Sequence, residues 1–149
     1  MCKIIRDVVN GLFYPDKTID VMSPKDRIKD KDLGYLPSSK LLTVKLPAEP
    51  WITPVANTKS MDPVIDAVHT AILEPYPLNV DGYRKGDLIV GDIVGYAYYT
   101  SIILHRIIDI DETVGGERVY TCRGDNTAGK DPYAIIDEYI KWVMVGALY

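Results

Sequence analysis

The stretch from Leu88 to Leu148 constrains this chain more than any other, because β-branched and aromatic residues gather there in successive runs. The runs are Leu88–Tyr99, Ser101–Ile110, Arg118–Arg123 and Tyr139–Leu148. Side chains branched at Cβ, or carrying rings, lose rotamer freedom in a helix and pack well on a pleated surface. Each run is therefore expected to be a strand. Gly115-Gly116 supplies a turn between the second and third runs. The unbroken apolar stretch Ile102-Ile103-Leu104 predicts a strand covered on both faces. The expected class is mainly β, built of antiparallel sheets with one or two short helices.

The first part of the chain gives weaker signals. Ile4, Ile5, Val8, Val9 and Leu12 fall at helical spacing, which predicts a short amphipathic helix over 3–13. Residues 14–40 read as irregular, punctuated by Pro15, Pro24, Gly34 and Pro37. Leu41–Leu46 has strand character, and Pro47, Pro50 and Pro54 then interrupt the chain. Asp62 before Pro63 reads as a helix N-cap followed by proline at the first helical position. Val64, Ile65, Val68 and Ile72 would lie on one face of that helix, which should end before Pro75. The domain reading is an N-terminal extension over 1–57, packed on a core formed by 58–149.

With 149 residues the chain suits one domain. At that length roughly 68–70% of the unfolded surface is buried on folding, enough for a core without disulfides or metals. A net charge of −4 leaves no basic footprint for nucleic acid. The charge is uneven: residues 1–59 carry 10 Lys/Arg against 7 Asp/Glu, and residues 60–149 carry 7 against 14. Acids and bases alternate from Lys25 to Asp32, which reads as a solvated surface. Cys2 and Cys122 form no C-x-x-C pair, and with only His69 and His105 beside them no metal site is expected, nor any cofactor. Ile93–Leu104, the longest uncharged central run, falls short of the roughly 20 apolar residues that span a bilayer. The first residues carry Lys3, Arg6 and Asp7 where a signal peptide needs an apolar stretch. The expectation is a soluble, cytoplasmic protein.

Four short segments carry the reactive residue types: Thr58–Pro63, Gly91–Val94, Ile103–Ile107 and Arg123–Asn126, with Asp131 six residues past Asp125. Serine hydrolysis needs a nucleophile, a base to take its proton and an acid to orient the base. Ser60 precedes the expected helix, whose N-terminal amides would favour an oxyanion. His105, flanked by Leu104 and Ile107 in an apolar strand, is either a packed core histidine or a desolvated base. Arg106 should face the other side of the strand, toward solvent or a salt bridge. Asp125 and Asp131 sit in a Gly/Asn/Asp loop that reads first as a surface turn. Pro132 biases Asp131 toward an extended backbone that projects its carboxylate. Either acid could orient His105. His69, beside polar positions of the expected helix, is taken as exposed.

Taken jointly, these residues resemble the signal peptidase family, within the serine-peptidase clan that also holds LexA-like autopeptidases. Ser60-Met61-Asp62-Pro63 is similar to the family's Ser-Met-x-Pro box, and Val90-Gly91-Asp92-Ile93-Val94 to the next. Leu104-His105-Arg106-Ile107 is similar to the third box, in the version with histidine in place of the bacterial lysine. That version is typical of archaeal and endoplasmic-reticulum enzymes. Gly124-Asp125-Asn126, followed by Asp131, is similar to the last box. The resemblance covers residues 58–149. It implies a signal peptidase/LexA-like fold and endopeptidase chemistry on a protein substrate bound as an extended strand. It implies Ser60 as nucleophile, His105 as general base, Asp131 as orienting acid with Asp125 in support, and oxyanion donors from the Ser60 N–H and the Thr58 hydroxyl.

The family usually has Ser-Gly-Ser where this chain has Thr58-Lys59-Ser60, and a membrane helix upstream of the serine where this chain is polar. Membrane association is therefore expected only through a partner. Two other readings belong to different classes: a non-catalytic peptide-binding or structural module, and a LexA-like self-cleaving peptidase. For the latter, no bond from a small residue to glycine precedes Ser60: Ala48 and Ala56 are followed by Glu49 and Asn57.

Overall fold

The computed structural model describes residues 22–77 and 87–149. The helix expected over 3–13 lies outside them. The described residues form a mainly antiparallel β domain whose one helical element is a 3-10 turn at Asp30–Asp32.

Among the described residues nine strands follow in chain order: β1 Leu33–Leu36, β2 Leu41–Val44, β3 Trp51–Pro54, β4 Thr70–Pro75, β5 Ile93–Tyr98, β6 Ser101–Glu112, β7 Arg118–Arg123, β8 Ile135–Ile136 and β9 Ile140–Leu148. β1 and β2 make a separate hairpin. The others form one sheet in the order β3-β4-β9-β5-β6-β7-β8, every neighbouring pair antiparallel. Register shifts interrupt the ladders at Ile72/Leu73, Gly95/Tyr96 and Ile107/Asp109. Such irregularities bend a strand and increase its twist, which lets a long sheet curl around its own core.

Four strands arise where β-branched and aromatic residues are densest, and Gly116 takes a left-handed φ of 78° in the β6–β7 turn. Along the central strand β5, alternation divides the apolar residues between two faces. Val94 and Tyr96 join Ile107, Tyr120, Cys122 and Val143 in one buried cluster. Ile93 joins Met61 and Ile65 in the other. Ile102 is exposed, so the stretch Ile102-Ile103-Leu104 is not covered on both faces as its composition predicts.

The segment after Ser60 departs most from expectation. No α-helix forms over 62–72. Backbone bonds from the Val64 and Ile65 amides to the Met61 carbonyl make a single turn. At Asp66 side chains then take over the backbone donors. Its carboxylate accepts from the Ala67 N–H, and His69 Nδ1 accepts from the Asp66 N–H at 2.9 Å. Local bonds of this kind compete with helix propagation. The predicted apolar face is split accordingly, with Ile65 buried and Val68 84% exposed. Thr70–Pro75 instead becomes β4, paired with β3 on one side and β9 on the other. Those two ladders outweigh a short helix that isolated propensity would hold only marginally.

Pro50 and Pro54 do not exclude a strand between them. Among the described residues β3 is an edge strand, where a missing N–H is tolerated. Because β3 precedes residue 57, the large sheet takes its edge from the N-terminal region. That region is also fastened further back. The buried carboxylate of Asp92 accepts from the Lys25 and Ile89 N–H groups at 2.9 and 3.0 Å and pairs with the Arg27 guanidinium. Beside it, Gly91 has a φ of 105°, and a side chain there would strike the Ser23 carbonyl.

Candidate active site

Three elements converge at one end of the sheet: the loop carrying Ser60, the first half of β6, and the loop that follows β7. His105 is the direct partner of Val94 on β5, so its imidazole shares a face with Val94, Tyr96 and Ile107. Its Nε2 lies 3.2 Å from Ser60 Oγ. On the other side of the ring, Nδ1 lies 3.0 and 2.9 Å from the two carboxylate oxygens of Asp131. With the proton on Nδ1, the imidazole donates to Asp131 and presents a lone pair to the serine hydroxyl. The His105 and Asp131 side chains are only 12% and 11% exposed, so their interaction is weakly screened by solvent.

The loops hold each other in this arrangement. The Asn126 N–H donates to the Ser60 carbonyl at 2.8 Å, and its side-chain amide donates to the Lys59 carbonyl at 3.0 Å. The Asp131 N–H donates to the Cys122 carbonyl at 2.8 Å, tying the acid to the end of β7. Gly124 is where the two loops cross. A Cβ there would lie 2.5 Å from the Ser60 carbonyl oxygen and 3.0 Å from His105 Nε2. Lys59 has a φ of 58°, a left-handed backbone that glycine adopts without cost. Thr58 Oγ1 stands 3.1 Å from Ser60 Oγ and accepts from the Ser60 N–H at 3.4 Å.

Asp125 does not reach His105. It grips Arg106 through two bonds, Nε to Oδ1 at 2.8 Å and Nη2 to Oδ2 at 2.7 Å. Alternation along β6 sends residues 105 and 106 to opposite faces, so each acid meets a different partner. Arg106 also donates to the Gly91 and Met22 carbonyls at 2.8 and 3.2 Å. Asp125 therefore holds the loop from behind rather than supporting the imidazole. His69 is removed from Ser60's chemistry. It is half-buried rather than exposed, its Nδ1 is occupied by the Asp66 amide, and its ring meets the edge of Tyr149 at 4.4 Å.

Tyr96 has no place in the sequence reading, yet it joins the cluster. Its buried hydroxyl donates to Asp131 Oδ2 at 2.7 Å. Burial first, then that hydrogen bond, push the phenol well above its ordinary pKa. The Cys122 thiol nearby is pushed up to about 12, by burial and then by the charge of Asp131. Its position within an apolar strand run is the only hint that Tyr96 could have given.

Ser60 and His105 open onto a groove of about 600 Å³ between β3, the serine loop and the first half of β6. Its walls are mainly apolar, with Val55, Met61, Ile65, Leu73 and Leu104 among them. Two strand edges border it. Among the described residues β3 pairs only with β4, and residues 101–105 of β6 pair only with β5, because β7 joins β6 from Arg106 onward. Among the described residues no group of three or more His, Cys, Asp or Glu side chains could hold a metal ion. Nor is any helix there long and apolar enough to cross a membrane. In comparisons with protein-family models, curated proteins and solved structures, nothing matches this chain.

Proposed function

We propose that this chain is a serine endopeptidase of signal-peptidase-like fold, acting in trans on a protein substrate held as an extended strand. Ser60 is the nucleophile, His105 the general base and Asp131 the acid that orients the base. One observation carries the reading: an unbroken path from Ser60 Oγ through both nitrogens of His105 to Asp131, open to an apolar groove. In chain order and residue type, its members match the motifs that resemble the signal peptidase family.

The chemistry follows from the contacts. The Ser60 hydroxyl passes its proton to His105 Nε2 as Oγ attacks the scissile carbonyl carbon. The Nδ1–H bond to Asp131 stabilises the imidazolium that results. The Ser60 N–H and the Thr58 hydroxyl, neighbours already, are the donors for the tetrahedral oxyanion. Collapse of that intermediate expels the amine, which takes the proton from Nε2. Water, activated by the same base, then releases the acyl group from Ser60. The edges of β3 and β6, unpaired among the described residues, suit a substrate bound through its main chain, with side chains entering the apolar groove.

A fluorophosphonate probe tests this directly. The wild-type chain is expected to label on Ser60, and labelling should vanish in Ser60→Ala and in His105→Ala while both variants keep wild-type circular dichroism. A folded wild-type chain that takes no label would remove the peptidase reading and leave a peptide-binding module on the same groove.

A further inference from the structure

Asp131 has a second partner. Tyr96 projects from β5 beneath the β7–β8 loop, its residue is 1% exposed, and its hydroxyl reaches Asp131 Oδ2 at 2.7 Å. A buried phenolic hydroxyl without an acceptor is costly, and here the acceptor is the same carboxylate that faces His105. The carboxylate presents both oxygens to Nδ1 at nearly equal distances, 3.0 and 2.9 Å. The last torsion of an aspartate is broad and roughly two-fold, so those contacts alone leave the group free to pivot. A donor fixed to Oδ2 removes that freedom.

Tyr96 is itself held by packing. Its ring meets Tyr133 edge-on at 6.2 Å, and Tyr133 stacks on Tyr98 at 4.4 Å with the planes 12° apart. We propose that Tyr96 is a positioning residue: its hydroxyl locks the Asp131 carboxylate so that His105 stays in the tautomer with a free Nε2 lone pair. This inference rests on the peptidase reading for its catalytic meaning, but the Tyr96–Asp131–His105 linkage is measurable without turnover.

The charged and titratable neighbours leave this linkage distinct. Tyr133 and the Cys122 thiol face Asp131, and both are pushed toward the neutral form, chiefly by burial. Thr58 and Lys59 flank Ser60 on the groove side, where Lys59 is exposed. Arg106 turns to the opposite face, paired with Asp125. Only Tyr96 donates a side-chain hydroxyl to Asp131 among the described hydrogen bonds.

Tyr120 provides a matched control. It is equally buried, and its hydroxyl donates to a different carboxylate, Asp137 Oδ1, at 2.6 Å. Tyr96→Phe and Tyr120→Phe each delete one oxygen from a buried ring. The primary readout is the nitrogen-15 spectrum of the His105 ring at neutral pH, in chains labelled at histidine. Tyr96→Phe is expected to move the two ring nitrogens toward a mixture of tautomers and to broaden the Nδ1–H signal, whereas Tyr120→Phe should leave both as in wild type.

The second readout is the fluorophosphonate rate. It should fall about tenfold in Tyr96→Phe, the loss expected for one hydrogen bond to a charged group, and stay within about twofold in Tyr120→Phe. A His105 spectrum in Tyr96→Phe that matches wild type or Tyr120→Phe would overturn the proposal. If wild type takes no label but the ring spectrum changes only in Tyr96→Phe, the linkage stands and the peptidase reading alone fails.

Discussion

At the scale of single residues, the two aspartates of one loop do different work, and substitution should separate them. Asp125 and Arg106 are each about 5% exposed and joined by two bonds. Removing one partner of such a pair leaves a buried charge without compensation, at a cost of roughly 3–5 kcal/mol. Asp125→Ala should therefore lower the thermal midpoint sharply, with probe labelling lost only as far as the chain unfolds. Asp131→Asn should do the reverse. An amide can keep contact with Tyr96 and His105 but favours the wrong imidazole tautomer, so labelling should drop by about a hundredfold or more while the midpoint moves little. Thermal melts and labelling rates on both variants check this, and an Asp125→Ala chain that melts like wild type would contradict the role given to Asp125. The family resemblance points to Asp131, but the residues by themselves leave the choice between the acids open, because the two carboxylates are six positions apart in one loop. The pleat of β6 separates their contacts, by sending His105 to the face that meets Asp131 and Arg106 to the face that meets Asp125.

At the scale of elements, legibility follows how local the deciding forces are. β5, β6, β7 and β9 can be read from composition because their side chains carry the preference themselves, although the start of β5 is read five residues early. β4 cannot, because Val64, Ile65, Val68 and Ile72 do keep helical spacing and only the ladders to β3 and β9 override it. Tyr96 is missed for a related reason: its partner lies 35 residues away and is brought in by the β7–β8 loop. The β1–β2 hairpin gives a prediction at this scale. Leu36, Leu41, Leu42 and Tyr35 are exposed on it, and no hairpin residue belongs to either apolar cluster of the described residues. Replacing Leu36 and Leu42 by Thr should thus change global stability by less than about 0.5 kcal/mol each. It should also weaken binding of a hydrophobic dye, since exposed apolar surface is what such a dye detects. A cooperative loss of several degrees in the thermal midpoint would show that the hairpin belongs to the folding core.

At the scale of the whole molecule, the site and the core share one cluster, so the chemistry that buries Tyr96 and Cys122 also sets how the fold responds to alkali. The Cys122 thiol rises from an ordinary 9.0 to about 12 through burial and the nearby Asp131, and burial raises the phenols of Tyr96 and Tyr120 above their ordinary 10.0. In each case the folded state holds its proton to higher pH than the unfolded chain does. Stability then falls with rising pH wherever the unfolded chain has already lost the proton. For Cys122 the contribution is intact below pH 9 and is lost progressively between 9 and about 12, whereas for the two phenols the decline begins near 10. Each fully engaged group steepens the loss by about 1.4 kcal/mol per pH unit. Urea unfolding at a series of pH values from 8 to 11 measures it. Wild type should weaken from about pH 9 onward. Cys122→Ala, less stable throughout because it opens a small cavity, should stay flatter between 9 and 10 and then fall as the phenols take over. Parallel curves for the two chains across that first unit would mean that the thiol lies in contact with water, and that the face carrying His105 and Asp131 is wetter than its packing implies.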